Sequence, residues 1–519
     1  MKRKLLFSSL LIAGIAGSVF AQEPVDQAAV QKIRDEGLNH SKVMETAFYL
    51  TDVAGPRLAG SPGLKRAQNW AVNQLKSWGL ANAKLEPWGK FGKGWEVEKN
   101  YAAITVPYYH AIIAIPKAWT SGTNGQVKSD VVLVKADSII DLNNYKGKLA
   151  GKIVIIDNNT KLTRSTKPDL ARYTDAELEE MANATAQPNQ RRAMDRNSPQ
   201  FIAMQKTRAL RAAMNTFFQQ ENVSLILSMA RGTDGTVFTT NGASYADTAK
   251  AALPELETSG EDYQRILRLL KAGQKVEMEA DIKTQFFTDD LQGYDVVAEI
   301  PGTDKKLKDQ VVMIGGHLDS WHGATGATDN GAGSAVMMEV MRILKAIDFK
   351  PKRTIRIALW SSEEQGLFGS RGYVLNHFGD PKTMELKPEQ AKISAYYNLD
   401  NGTGKIRGIY LQGDSAAGPV FKPWFEPFKD MGASTITIRN TGGTDHQSFD
   451  AVGIPGFQFI QDVMDYGTRT HHSNQDTYDR LSEDDLKQAA TIVASFVYNT
   501  SQRQEMIPRK ELPKAQGTN

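Results

Sequence analysis

From Tyr294 onward, short β-branched runs alternate with longer stretches of helical periodicity, and this alternation limits the possible fold more than any other feature. Val311–Gly315, Thr354–Trp360, Ile393–Leu399 and Gly456–Ile460 predict strands, while Gly331–Ile347 and Gln365–His377 predict helices. Strands that return through helices lie parallel, and a parallel sheet needs apolar cover on both faces. The expected fold class is therefore α/β, a mostly parallel sheet flanked by helices. Ligands of such sheets gather beyond the carboxyl ends of the strands, so the residues that follow each run carry the most information.

Those residues share one chemistry. The first run leads into His317-Leu318-Asp319-Ser320, the second into Ser361-Ser362-Glu363-Glu364, and the third into Asp400. A glycine-rich turn, Ala327-Thr328-Asp329-Asn330-Gly331, opens the helix after the first strand, and Thr470-His471-His472-Ser473 comes near the end. Hydrolysis at a two-metal site needs a carboxylate shared by both ions, further nitrogen and oxygen ligands on each, and an open position for water. His317, Asp329, Glu364, Asp400 and His472 supply two imidazoles and three carboxylates, enough for two Zn²⁺ ions with Asp329 between them. Consecutive side chains diverge, so Glu363 and Glu364 divide the work: Glu364 on metal, Glu363 as general base toward a water and then toward the leaving amine. Asp319, two residues past His317, is spaced to accept that ring's other N–H.

Composition narrows the metal chemistry further. The chain has no cysteine, which excludes thiolate zinc sites, a cysteine nucleophile and disulfides. Any metal must be held by His, Asp and Glu, and most of the eight histidines lie between positions 317 and 472. No HExxH, Walker A or GxSxG motif occurs.

The amino terminus reads as a signal peptide, residues 1–21. Lys2, Arg3 and Lys4 precede an apolar stretch from Leu5 to Phe20, and Val19-Phe20-Ala21 suits cleavage. Export to the periplasm or the medium is expected, with no membrane anchor after cleavage. Removing three basic residues turns 62 basic against 59 acidic into an even balance, so charge offers no argument for a nucleic-acid partner.

The remainder divides unevenly. Gln22–Leu85 predicts helices, and a strand-rich stretch runs to about Pro116. Residues 117–287 differ: Asp130–Val134, Gly151–Ile156 and Val223–Ser228 are short buried-strand runs around a charge-rich helical excursion, Thr163–Gln220. We expect one discontinuous domain, 22–116 with 288–505, an inserted β-rich domain at 117–287, and a polar, flexible tail at 506–519.

Five blocks together resemble the bacterial leucyl aminopeptidase family, which includes plasma glutamate carboxypeptidase (carboxypeptidase Q). They are His317-Leu318-Asp319-Ser320, Ala327–Gly333, Ser362-Glu363-Glu364-Gln365-Gly366-Leu367-Phe368-Gly369-Ser370, Asn398-Leu399-Asp400 and His472–Thr477. Gly55–Gly63 resembles the family's amino-terminal helix entry, and Gly443–Phe449 with Gly453-Ile454-Pro455 a block lining the pocket. The resemblance implies a zinc-exopeptidase-like sheet interrupted by a protease-associated domain. It implies a two-zinc exopeptidase, an aminopeptidase or dipeptidase, acting on a peptide or dipeptide next to a free amino terminus. His317 and Asp400 fall on one zinc, Glu364 and His472 on the other, Asp329 bridges, and Glu363 is the base. His472 is preferred to His471 because the family's ligand lies four residues before an acid, here Asp476. The resemblance leaves the role of the insert open between capping the pocket, supporting a homodimer, and both.

Other residues fit two roles each. Asp445 and His446 suit turn capping as well as hydrogen bonding near the metals. Trp321 and Tyr466 suit packing as well as pocket shaping, and His322 and His471 read as bystanders or pocket lining. Two alternative functions stand beside the first: a one-zinc glutaminyl cyclase and a non-catalytic receptor-like binding protein. The full ligand set disfavours both.

Overall fold

The computed structural model describes residues 23–163, 165–186 and 196–515. The expected signal peptide, 1–21, lies outside them, and no helix among the described residues is long and apolar enough to cross a membrane.

Two eight-stranded sheets organise the chain. The first contains β1 (Ala81–Lys90), β2 (Gln292–Ile300), β3 (Val311–His317), β4 (Thr354–Trp360), β5 (Ile393–Asn398), β6 (Ile406–Tyr410), β7 (Thr435–Thr437) and β8 (Gly456–Gln461). Their spatial order is β1-β2-β4-β3-β5-β8-β6-β7. The central strands β4, β3, β5 and β8 run parallel, and antiparallel pairs flank them. The expected α/β fold with helices flanking the sheet is present, but the sheet is mixed rather than mostly parallel, with its parallel part in the middle. Four carboxyl ends therefore open along one edge.

Both faces of this sheet are covered. Val312 and Ile314 of β3 face a core shared with the helices Pro62–Ser77, Ala332–Ala346 and Glu483–Gln502. Val311 and Met313, one residue out of phase, face Trp360, Tyr373, Phe378, Tyr396 and Phe449 instead. A strand buried on both sides has no polar alternation, which is why these runs read as continuous apolar stretches. The helix Ala332–Ala346 is apolar nearly all round and lies between the sheet and other helices. At Pro62–Ser77, Ser61 caps the first turn through Leu64 N–H and Pro62 occupies a position that needs no donor.

The second sheet runs in the spatial order His110–Ala111, Gly94–Val106, Glu277–Phe287, Val127–Val134, Ile153–Ile156, Leu225–Met229, Glu255–Thr258, Ala114–Pro116. It begins earlier in sequence than the expected boundary at 117. Gly94–Val106 pairs antiparallel with Glu277–Phe287 along its whole length, so the outgoing and returning chain form one ribbon. Leu85, expected in a helical segment, lies on β1. The helix after β4 starts at Phe368 rather than Gln365, because Leu367 adopts a left-handed conformation (φ 60°) just before it.

Residues 507–510, within the expected tail, pack against the fold. Ile507 is buried, Arg509 donates to the carbonyls of Gln390 and Ile393, and Lys510 reaches Gln412 O. A polar composition concealed one apolar anchor and two cations that satisfy main-chain carbonyls.

Candidate metal centre

The parallel strand ends are stitched together before any side chain is considered. Leu318 N–H donates to Trp360 O (2.7 Å), joining the ends of β3 and β4. Asn330 joins the turn after β3 to the end of β5: its Nδ2 donates to Leu399 O (2.9 Å) and its Oδ1 accepts from Gly333 N–H (2.9 Å). At Gly333 a Cβ would fall 2.2 Å from Leu399 O, so only glycine lets this helix approach the strand so closely.

Six of the expected site residues converge on that edge. His317 Nε2 lies 3.2 Å from Asp400 Oδ1 and 3.3 Å from Asp329 Oδ1. His472 Nε2 lies 2.8 Å from Glu364 Oε2 and 3.2 Å from Asp329 Oδ2. The two oxygens of Asp329 thus face two different imidazoles, each accompanied by its own carboxylate. Glu363 and Glu364 diverge as consecutive residues should: Glu363 Oε2 stands on the His317 side (3.9 Å), Glu364 on the His472 side. All six line one cavity of about 590 Å³, together with Arg371, Asn401, Thr444, Gln447, Tyr466 and His471.

Asp319, the seventh, stands differently from its expected role. His317 Nδ1 makes its short contact with the main-chain carbonyl of Asp319 (3.0 Å), and the carboxylate is 3.7 Å away. The carboxylate instead accepts the main-chain N–H groups of Glu363 (3.1 Å) and Glu364 (3.3 Å). Spacing two residues past a histidine fits either arrangement. Here Asp319 orients the histidine with its backbone and both glutamates with its side chain. The turn it holds includes Ser362 in the left-handed region (φ 57°).

Charge explains the electrostatics. Burial alone would lower the pKa of His317, but Asp400 and Glu363 carry it well above its ordinary value. His472 behaves likewise and is pushed up to about 11 by Glu364 and Asp329. Glu363 is raised well above the usual carboxylate range, chiefly by burial and then by Asp400, Asp445 and Glu364. Glu364 rises to about 7, through burial and Asp329. Four buried carboxylates around two imidazoles carry more negative charge than the local protein neutralises, and they draw protons onto the rings. Cations would satisfy the same field. The donor set fits: His317, Asp329 and Asp400 offer ligand atoms within 4.8 Å of one another, and Asp329, His471 and His472 do so too. Glu364 Oε1 is buried without a hydrogen-bond partner, as an oxygen reserved for a ligand would be.

Several residues around the centre went unassigned in the sequence. Asp476, used there only as a spacing mark, accepts the N–H groups of Thr328 (2.6 Å) and Asp329 (3.1 Å) and so fixes the central carboxylate. Arg57 is fully buried beneath the site. It donates to the carbonyls of Leu50, Leu318, Thr325 and Gly326 at 2.5–2.9 Å. Its place in the Gly55-Pro56-Arg57 turn was the only sequence signal. Tyr466 lines the cavity, and the Trp321 ring packs 5.8 Å from that of His472. His446 bonds Gln412 and Thr441, and His322 bonds Pro116, both away from the cavity. Asp445 is buried and does not line it.

The region that carries these residues resembles known peptidases. Residues 295–497, which span β3, β4, β5, β8 and all six converging side chains, match Peptidase family M28. That stretch is a peptidase M28 domain. The whole chain is 26% identical to carboxypeptidase Q of Rattus norvegicus over 514 residues, covering 95% of this chain and 96% of the relative. The crystal structure of a peptidase M28 precursor from Shewanella amazonensis SB2B superposes with a TM-score of 0.65 at 25% identity, over 94% of this chain and 99% of that one. BSAP, a zinc aminopeptidase from Bacillus subtilis, shares the fold with a TM-score of 0.54 at 18% identity, over 90% of this chain and 96% of that one.

Proposed function

We propose that this protein is an exported two-zinc exopeptidase, an aminopeptidase or dipeptidase that cleaves the peptide bond next to a free amino terminus. The observation that carries the reading is Asp329, whose two oxygens point to two separate imidazole–carboxylate pairs. His317 with Asp400 would hold one ion, and His472 with Glu364 the other. His471 is a weaker candidate than Glu364: its side chain is 41% exposed, it stands 3.8 Å from Asp329, and its ring lies against that of His472. Bound zinc supplies Lewis acidity toward the scissile carbonyl and toward an attacking water.

The protein's own groups do the rest. Glu363, on the cavity wall beside His317, takes the proton of the water and returns it to the leaving amine. Asp319 keeps the two glutamates apart through their main-chain amides. Support for export comes from Lys2-Arg3-Lys4 and the apolar stretch after them. A carboxypeptidase relative and a zinc aminopeptidase neighbour are both exopeptidases by name.

Metal analysis together with turnover of aminoacyl p-nitroanilides and dipeptides tests the reading. We expect about two zinc per chain, activity abolished by a chelator, and a Glu363→Gln variant that keeps its metal while losing about 10²–10⁴ in rate. One zinc per chain would favour the cyclase reading. Metal loss in Glu363→Gln would reverse the roles of the two glutamates.

A further inference from the structure

The loop that bears His472 takes its shape from residues outside the first sheet. Between β8 and the helix Glu483–Gln502, His472 adopts a left-handed conformation (φ 60°), which a residue with a side chain keeps only when its surroundings enforce it. The enforcing contacts come from the inserted region. The His472 carbonyl accepts from Thr239 N–H (2.7 Å) and from Thr239 Oγ1 (3.0 Å). Asn474 continues the pairing, its N–H donating to Val237 O (3.1 Å) and its Oδ1 accepting from Val237 N–H (2.8 Å). Gln475 Nε2 then donates to Thr236 Oγ1 (2.9 Å).

The same loop is gripped at its other end. Asp462, fully buried, accepts from Arg172 (2.8 Å) and from Tyr173 N–H (3.0 Å), both in the helical excursion. Midway, Arg469 pairs with Asp169 (2.8 Å) and Asp234 (2.9 Å) and donates to Thr233 O (2.7 Å). Two separate stretches of the insert therefore hold one loop from both sides. The second imidazole is carried by a loop, whereas His317 and Asp400 sit at the ends of central strands.

We propose that the inserted region is a positioning device for His472, with Thr239 as the positioning residue. The proposal rests on the reading of His472 as a metal ligand. Two donors on one carbonyl fix the plane of the peptide after His472. That plane holds the left-handed backbone from which Nε2 reaches Asp329 and Glu364. Release of the carbonyl lets the residue relax to an extended or right-handed conformation and carries the imidazole out of register. The dependence is one-sided: the His472 half of the centre needs the insert, and the His317 half does not.

The test is zinc release from the full-length holoenzyme into a chromogenic chelator, with thermal melting followed in parallel. Thr239→Val keeps shape and loses the hydroxyl donor, and Thr239→Ser keeps both donors. We expect Thr239→Val to release one of its two zincs about tenfold faster than wild type, with the other unchanged, and Thr239→Ser to restore wild-type release. His472→Ala should lack the same zinc from the outset. Should Thr239→Val not yield folded protein, Asn474→Ala loosens the same ladder and must show the same selective release. A lower melting temperature with both zincs leaving at wild-type rates would reduce Thr239 to simple docking and overturn the proposal. Two tightly held zincs in His472→Ala would instead overturn the ligand assignment beneath it.

Discussion

Arg57 offers the sharpest test of how this site is supported. A guanidinium with no exposed surface satisfies four main-chain carbonyls, three of them (Leu318, Thr325, Gly326) on the loop joining His317 to Asp329. Burial lowers its pKa to about 10, against the opposing pull of Asp476, Asp319, Asp329 and Glu364. It is a buried cation held by peptide dipoles and by the field of the acids above it. Arg57→Met fills the space and removes every donor. Hydrogen bonds from charged groups contribute about 1.5–3 kcal/mol each, and recovering the cost of burying the charge offsets part of that loss. We expect a net destabilisation of about 3–5 kcal/mol, the usual cost of breaking a buried charged network. In thermal unfolding this lowers Tm by roughly 5–10 °C. Arg57→Lys should recover little, since a single ammonium cannot span four carbonyls set around a planar fork. Calorimetry on both variants with zinc bound provides the measurement. An Arg57→Met protein that melts within about 1 °C of wild type would refute the reasoning, because the carbonyls would then need no buried donor.

Three further outcomes follow from the same structure. Asp476→Asn replaces one of the two acceptors under Thr328 and Asp329 with an amide donor, and competition with a chelator should show zinc affinity reduced about 10–100-fold. Stripping zinc from the wild type should lower its melting temperature, since a ligand that binds only the folded chain stabilises it by mass action. Returning zinc should restore the melting temperature. His322 is held at a pKa of about 4 by burial, with its Nε2 on Pro116 O and its buried Nδ1 unpartnered. Between pH 6.5 and 4 the unfolded chain therefore takes up a proton that the folded one refuses, so this group costs stability as pH falls through that window. Urea unfolding at several pH values should show His322→Gln flattening the profile by about 1 kcal/mol per pH unit relative to wild type.

The sequence exposed those parts of the site that rest on local periodicity. His317, Glu363, Glu364 and Asp400 each follow an apolar run, and a parallel sheet brings the ends of such runs to one edge. Asp329 was visible because its turn opens a helix directly after β3. Hidden from it was whatever depends on which atom of a residue is used. Asp319 has a carbonyl and a carboxylate within reach of the site, and spacing alone cannot divide their duties. Arg57 lacks a nearby acidic partner in sequence, because its partners are carbonyls, which every residue has. The contacts of Thr239 with His472 cross 233 positions and use a polar residue of no distinctive pattern. The start of the second sheet at Gly94 was hidden for a related reason: Ala81–Lys90 and Gly94–Val106 follow each other closely, and only their partners show that they belong to different sheets.

The ribbon of Gly94–Val106 and Glu277–Phe287 leaves and re-enters the first sheet at neighbouring positions, Lys90 and Gln292 being opposite each other on β1 and β2. In topology, then, everything between them is a detour that a short hairpin could replace without disturbing a single central strand. Such a shortened chain would keep its architecture and most of its acids, yet would lack the outside hand on its second histidine. A segment can be dispensable to a fold and still be indispensable to what that fold carries.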